Sequence, residues 1–162
     1  MSKQYELVLY PDKRLSKKSE EVKLPLSKED EELLNAMYDF VKEHETAVGL
    51  AAPQFGVNKR MFVIRYKYPN GSIFNCKMVN PKLVIQGKST YVAEGGEGCL
   101  SEPGVEVGVT RHRNVVLIGY DAITKSNVYY PLHNFTACIA QHEMDHLDGI
   151  LLHNYLKEQI DE

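Results

Sequence analysis

The hydrophobic positions in the first third of the chain repeat at the spacing of an amphipathic helix. The segment from Ser27 to Asp30 offers a capping hydroxyl followed by acidic residues, which is typical of a helix start. The apolar positions that follow recur three and four residues apart: Leu33, Leu34, Met37, Tyr38 and Val41. This spacing predicts an N-terminal amphipathic helix that packs one face against the rest of the protein.

After residue 54 the pattern changes to short runs of β-branched and aromatic residues, separated by turn residues. The predicted strands are 61–66, 73–79, 84–85, 90–92, 105–109, 115–118 and 128–130. The segment Pro69-Asn70-Gly71 predicts a tight turn between the first two. Because a run of strands with short links precedes the last helical pattern, the order predicts an α+β fold with mainly antiparallel sheets.

That last helical pattern is expected to form a central helix, which Asn134 can cap and Gly149 can end. It carries an HExxH motif, in which His142 and His146 lie one turn apart and can bind one metal ion. Glu143 lies about 100° around the helix from His142, so it is predicted to transfer protons and not to bind the metal.

A catalytic metal centre usually takes three protein ligands and keeps one position open. The downstream candidates for the third ligand are His153, Glu158, Asp161 and Glu162. Upstream, Cys99 offers a thiol in a segment rich in glycine, where the backbone can approach a ligand closely. The ligand spacing alone leaves this choice open.

Three segments resemble the signature motifs of the peptide deformylases, and they occur in the same order as in that family. They are Gly49-Leu50-Ala51-Ala52-Pro53-Gln54, Glu97-Gly98-Cys99-Leu100-Ser101 and Gln141-His142-Glu143-Met144-Asp145-His146-Leu147. The segment Tyr10-Pro11-Asp12-Lys13-Arg14-Leu15 is also similar to the N-terminal segment of the family. The resemblance implies one catalytic domain over residues 1–162, which removes the formyl group from N-formylmethionyl nascent peptides and releases formate.

The resemblance also implies the metal ligands and the catalytic groups. Cys99, His142 and His146 would bind one divalent metal ion per chain, with iron(II) as the usual metal and nickel, cobalt or zinc as substitutes. Glu143 would act as the general acid and base. The side-chain amide of Gln54 and the backbone N–H of Leu100 would stabilise the oxyanion.

On the substrate side, the resemblance assigns the backbone of Val48, Gly49 and Gly98 to a peptide bound in an extended conformation. The face of the predicted central helix that bears the histidines adds an apolar slot for the methionine side chain. The slot residues are Phe135, Cys138 and Ile139. For Ile139, simple core packing is an equal alternative.

Other positions qualify the resemblance. Arg111 is the expected partner of Asp145. Ala47 replaces a glycine that is usual in the family, and Glu106 occupies a position where bacterial relatives often have arginine, which leaves the peptide preference open. The chain stops soon after Lys157, where many bacterial members continue into a long C-terminal helix. The ribosome-docking role proposed for that helix is therefore not predicted for this chain.

Composition is that of an ordinary globular protein, with 43% hydrophobic and 25% charged residues among 162. A net charge of −3 gives no reason to expect nucleic-acid binding. Three widely spaced cysteines, Cys76, Cys99 and Cys138, suit free thiols in the cytoplasm or an equivalent reducing compartment. The N-terminal residues have no long apolar stretch, so we expect no signal peptide, membrane span or membrane partner.

Two other functions fit the motifs. An HExxH metallopeptidase would take its third ligand after the motif. A non-catalytic module would keep a closed structural metal and bind peptide N-termini.

Overall fold

The computed structural model describes residues 4–161. In chain order the elements are α1 (Lys28–Glu43), β1 (Gly49–Ala51), β2 (Met61–Lys67), β3 (Ile73–Ile85), β4 (Thr90–Tyr91), β5 (Arg111–His112), β6 (Asn114–Asp121), β7 (Ser126–His133), α2 (Phe135–Leu147) and α3 (Leu152–Asp161). Short 3-10 helices span Lys13–Ser16 and Ala52–Phe55. Five strands form one sheet in the order β1-β2-β3-β6-β7, and β4 pairs with β5. Every pair of strands is antiparallel, so the predicted α+β class is confirmed.

The sheet separates two hydrophobic clusters, because alternate residues of β2 point to opposite faces. Phe62 and Ile64 belong to the cluster that contains the inward face of α2. Met61 and Val63 belong to the cluster that contains the apolar face of α1. The start of β2 is therefore buried on both faces, and α1 and α2 pack on opposite sides of it.

Both helix starts were predicted at the right residue, but only one side chain caps its helix. Ser27 accepts a hydrogen bond from the Asp30 N–H at 3.1 Å, as expected for a cap. Asn134 precedes α2 without capping it, since its side-chain oxygen instead accepts a hydrogen bond from Arg113 at 2.9 Å. Gly149 ends α2 as predicted, with a φ of 74° that favours glycine.

Two of the predicted strands are one strand in the structure, and a third does not form. Residues 73–79 and 84–85 belong to the single strand β3, which continues through a register shift between Val79 and Lys82. Asn80 has a φ of 51° at this irregularity, so the strand bulges there and does not end. Residues 105–109 form no strand. They make one isolated bridge, between Val107 and Glu97.

The C-terminal helix α3 was not predicted from the sequence. Its first two backbone N–H groups, those of Leu152 and His153, donate hydrogen bonds to the carboxylate of Glu102 at 3.0 and 2.8 Å. The signal for this helix start is thus about fifty residues away in the chain. Among residues 4–161, no helix is long and apolar enough to cross a membrane.

Candidate metal centre and active site

Cys99, His142 and His146 lie together, with one ligand atom from each within 4.8 Å of the others. The Cys99 Sγ lies 3.3 Å from the His146 Nε2. Bond lengths of about 2.3 Å for sulfur and 2.0–2.1 Å for nitrogen around a tetrahedral metal would separate these two atoms by about 3.5 Å. α2 supplies both histidines one turn apart, and the turn that contains Cys99 closes on them from the glycine-rich loop. The spacing of the donor atoms therefore fits one metal ion.

Glu97 holds the outer edge of His142. A Glu97 carboxylate oxygen lies 3.0 Å from the His142 Nδ1, so the Nε2 of that ring is left for the centre. Burial alone would raise the pKa of Glu97, but hydrogen bonds from His142 and Arg111 lower it to about 2. Glu97 is therefore a buried carboxylate that fixes the ring orientation.

A buried network behind the histidines supports this arrangement. Arg111 donates two hydrogen bonds to Glu97, at 2.9 and 2.7 Å, and one to Asp145 at 2.6 Å. Tyr155 of α3 donates to the same Asp145 oxygen at 2.6 Å. The predicted pairing of Arg111 with Asp145 is thus confirmed. We call Glu97, Arg111, Asp145 and Tyr155 the support network.

Glu143 lies beside the ligands without belonging to the support network. Its side chain is only 3% exposed, and one carboxylate oxygen has no hydrogen-bond partner among the described residues. Burial raises the pKa of Glu143 to about 7. A carboxyl group with a pKa near neutrality can both accept and return a proton at the pH of a cell.

Gly49 makes room for this carboxylate. A β-carbon at Gly49 would lie 2.7 Å from a Glu143 oxygen and 3.1 Å from the backbone oxygen of Val63. The Glu143 carboxylate would have to move away from such a β-carbon, and the Val63 oxygen of the neighbouring strand β2 would have to give by a few tenths of an ångström. The glycine of β1 is therefore required for the position of Glu143.

Two hydrogen-bond donors lie next to the centre. The Gln54 side chain is held by its oxygen, which accepts from the Ala51 N–H at 2.9 Å. Its Nε2 lies 3.1 Å from the Ser101 Oγ and 3.6 Å from the Cys99 Sγ. The backbone N–H of Leu100 makes no hydrogen bond within the described part of the chain. Gln54 thus satisfies a buried backbone group and also presents a donor beside Cys99.

A cleft of about 680 Å³ opens in front of the centre. The residues predicted to contact substrate all line it: Val48, Gly49, Gly98, Phe135, Cys138 and Ile139. Ile139 is 3% exposed and also belongs to the core, so both of its expected roles are compatible with its position. Cys138 has an additional contact, because its Sγ lies 3.2 Å from a Glu97 oxygen.

One wall of the cleft is the edge strand β1. Strand β1 pairs only with β2 in the sheet. The Val48 oxygen accepts a hydrogen bond from the Arg65 N–H of β2 at 2.9 Å. In an antiparallel ladder alternate residues bond to the partner strand, so the N–H and C=O of the next residue, Gly49, point away from β2. The free edge can therefore pair with an extended peptide.

The downstream candidates for the third ligand lie elsewhere. His153 contacts the Glu102 carboxylate at 2.8 Å and stacks on Tyr10. Glu158 is exposed on α3. The side chain of Asp161 and the whole of Glu162 are outside the described residues. All three cysteines are free thiols, and Cys76 is buried in the core away from the centre.

Two residues of this region were given no role from the sequence. Glu97 stands in the glycine-rich motif, two residues before Cys99, and this position was the available signal. Glu102 closes the turn on Cys99, since its N–H donates to the Cys99 oxygen at 3.0 Å, while its carboxylate anchors α3. No local pattern indicates that second contact.

The sequence model of the family described as polypeptide deformylase matches residues 4–161. The peptide deformylase of Shouchella clausii is 36% identical over 158 aligned residues, which cover 88% of this chain and 84% of that protein. The peptide deformylase of Oceanobacillus iheyensis is 34% identical, with coverage of 85% and 81%.

Solved structures agree with these relatives. A probable peptide deformylase from Synechococcus phage S-SSM7 superposes with a TM-score of 0.82 at 32% identity, covering 94% of this chain and 99% of that chain. A class I type b peptide deformylase from Acinetobacter baumannii, solved with Met-Ala-Ser bound, gives a TM-score of 0.80 at 28% identity, with coverage of 93% and 97%.

Proposed function

The chain belongs to the polypeptide deformylase family and is a peptide deformylase that acts on nascent peptides, and on this premise we propose that its reaction depends on one divalent metal ion. Cys99, His142 and His146 would hold that ion, with iron(II) as the resident metal. The substrate would be the N-terminal formylmethionine of newly made polypeptides, and formate would be released. The observation that carries the proposal is the convergence of one thiol and two imidazoles on a single point beside a buried, unpaired carboxylate oxygen.

The donor set supports a catalytic metal over a purely structural one. Three protein ligands would leave a fourth position for water or substrate, and two of the three, Cys99 and His142, line a cleft that is large enough for a peptide. When bound, the ion would lower the pKa of a water molecule and polarise the formyl oxygen. Nitrogen and thiolate ligands accommodate iron, nickel, cobalt and zinc, so substitution among these metals is expected.

Glu143 would take the proton of the attacking water and return it to the departing amine nitrogen. Its buried position and raised pKa suit both steps, because the group then loses and regains a proton near neutral pH. Because Gly49 has no β-carbon, it leaves room for the Glu143 carboxylate. Amide hydrolysis needs both proton transfers, and one carboxylate can perform them in sequence.

The oxyanion would be stabilised by Gln54 and Leu100. Within residues 4–161 the Leu100 N–H makes no hydrogen bond, and the Gln54 amide nitrogen lies 3.6 Å from the Cys99 sulfur. A preorganised donor of this kind contributes about 3 kcal/mol of transition-state stabilisation. The free edge at Gly49, with Val48 and Gly98, would hold the peptide backbone, while Phe135, Cys138 and Ile139 would accept the methionine side chain.

The metallopeptidase alternative has less support. It needs a ligand after the HExxH motif, whereas His153 is engaged by Glu102 and Glu158 is exposed. A non-catalytic module is also disfavoured, because such a site would be closed by a fourth protein ligand.

The test is formate release from formyl-Met-Ala-Ser by protein purified without air, together with elemental analysis of the bound metal. We expect turnover with one metal ion per chain, and loss of both in Cys99→Ala, since removing the thiolate removes one of three ligands. Cys76→Ala is the matched control, because that thiol is buried in the core. Full metal content in Cys99→Ala would contradict the ligand assignment, and absence of formate release from the wild type would contradict the function.

A further inference from the structure

Glu106 is an exposed carboxylate that lines the substrate cleft. Four glutamates line the cleft. Glu97 is paired with Arg111, Glu102 is engaged by α3, and Glu143 is buried beside the metal ligands. Glu106 is exposed and, within residues 4–161, makes no hydrogen bond or ion pair. Its desolvation on folding is small, so its charge is available to a ligand.

The isolated β-bridge between Glu97 and Val107 fixes the position of the Glu106 carboxylate. Glu97 and Val107 exchange backbone hydrogen bonds of 2.8 and 3.1 Å, so Gly98 and Glu106 face each other at the next position. The side chains of Glu97 and Val107 are buried. Because side chains alternate along extended backbone, Glu106 points away from that core and toward the mouth of the cleft.

Among residues 4–161, no lysine or arginine lines the cleft to neutralise the Glu106 carboxylate. Arg111 lies behind the wall, is itself buried, and is shared by Glu97 and Asp145. A peptide that extends from the metal past Gly98 therefore meets a negative charge at the cleft mouth.

We infer that Glu106 selects formylmethionyl peptides with lysine or arginine at one of the two positions after methionine. The inference rests on the proposed function, because it assumes that the peptide N-terminus lies at the metal with its backbone between Gly49 and Gly98. Opposite charges in this exposed setting attract modestly, and like charges repel by a similar amount. Glu106 is thus a specificity-determining residue for the sequence beyond methionine.

The experiment compares kcat/KM for formyl-Met-Lys-Ser, formyl-Met-Ala-Ser and formyl-Met-Glu-Ser, and for the same three residues placed at the third position. We expect the lysine peptide to exceed the neutral peptide by about two- to fivefold at low ionic strength, and the glutamate peptide to fall below it by a similar factor. Both differences should shrink at about 0.5 M salt, where the Debye length is only a few ångströms.

Substitutions of Glu106 test whether this residue causes the preference for basic peptides. Glu106→Gln should equalise the charged peptides and Glu106→Lys should invert their order, with turnover of formyl-Met-Ala-Ser within about twofold of wild type. Glu94→Gln is the matched control, since Glu94 is exposed on the same loop but does not line the cleft. Equal rates for lysine and glutamate peptides at both positions, or an unchanged preference in Glu106→Gln, would overturn the inference.

A failure of the proposed function would look different. If the wild type does not turn over formyl-Met-Ala-Ser, binding of Met-Lys-Ser and Met-Glu-Ser is measured by calorimetry. Tighter binding of the lysine peptide that disappears in Glu106→Gln would support the charge selection without deformylation. Equal binding would overturn it.

Discussion

The two sides of the metal centre differ in how their polar groups are satisfied. On the buried side, the support network pairs every carboxylate with a guanidinium, an imidazole or a phenol. On the cleft side, a Glu143 oxygen and the Leu100 N–H have no partner within the described residues, and the edge of β1 is free. Leaving a buried polar group unpaired costs about 1–3 kcal/mol, so the unpaired Glu143 oxygen indicates where a ligand completes the structure. The His146 Nδ1 is likewise buried and unpaired among the described residues, so the contrast holds for the carboxylates and not for every polar group.

The comparison predicts that removing an unpaired group affects chemistry and leaves the fold intact. Glu143→Gln keeps the size of the side chain but cannot accept a proton. We expect turnover to fall by about two to four orders of magnitude, with metal content and melting temperature close to wild type. The measurements are formate release, elemental analysis and a thermal melt. Loss of metal in this variant would mean that Glu143 is a ligand.

Removing a paired group should instead destabilise the protein. Arg111→Met leaves the buried carboxylate of Glu97 and the partly buried carboxylate of Asp145 without their guanidinium, which costs about 3–5 kcal/mol of unfolding free energy. Metal affinity should also fall by about 10- to 100-fold, because Glu97 orients His142. Denaturant unfolding and metal titration measure the two effects. Arg113→Met, at a more exposed neighbour, is the control, and an equal loss in both variants would contradict the role of the network.

A smaller loss of activity is expected from a substitution at Gly49, next to the Glu143 carboxylate. Gly49→Ala places a β-carbon 2.7 Å from the Glu143 carboxylate and should displace it. Misplacing a catalytic group by about 1 Å costs up to about a hundredfold in rate, and we expect a fall of this order with the metal retained. Steady-state kinetics on formyl-Met-Ala-Ser measure it. Gly108→Ala controls for general effects of the substitution, since Gly108, like Gly49, has no positive φ, does not line the cleft, and a β-carbon there would meet only the Val92 side chain at 3.4 Å. Wild-type rates for Gly49→Ala would show that glycine is not required at this position.

The same contrast explains which parts were predictable from sequence. Helix α2 and the one-turn spacing of His142 and His146 follow from a local period, so His142, Glu143 and His146 lie on this helix as expected, while their roles in the site stay predictions. The pairing of Arg111 with Asp145 was expected from the family pattern and is confirmed. The central place of Glu97 was missed, because three of its partners are distant in sequence and no local pattern joins them.

The errors in secondary structure have a similar origin. Asn134 does not cap α2, because a tertiary contact with Arg113 takes its side chain. Strand β3 continues through the bulge at Asn80, whereas two separate strands, 73–79 and 84–85, were predicted there. Helix α3 begins where Glu102 supplies an acceptor from another part of the chain. Contacts of this kind are set by the assembled fold and not by neighbouring residues.

The free edge of β1 has a consequence for self-association. An unpaired strand edge can recruit another sheet and start aggregation, and proteins limit this by keeping such edges short or covered. Strand β1 has three residues and runs directly into a 3-10 helix that contains Pro53. Gly98 lines the same cleft as Gly49. The short edge that would accept one peptide terminus therefore also limits pairing between folded molecules.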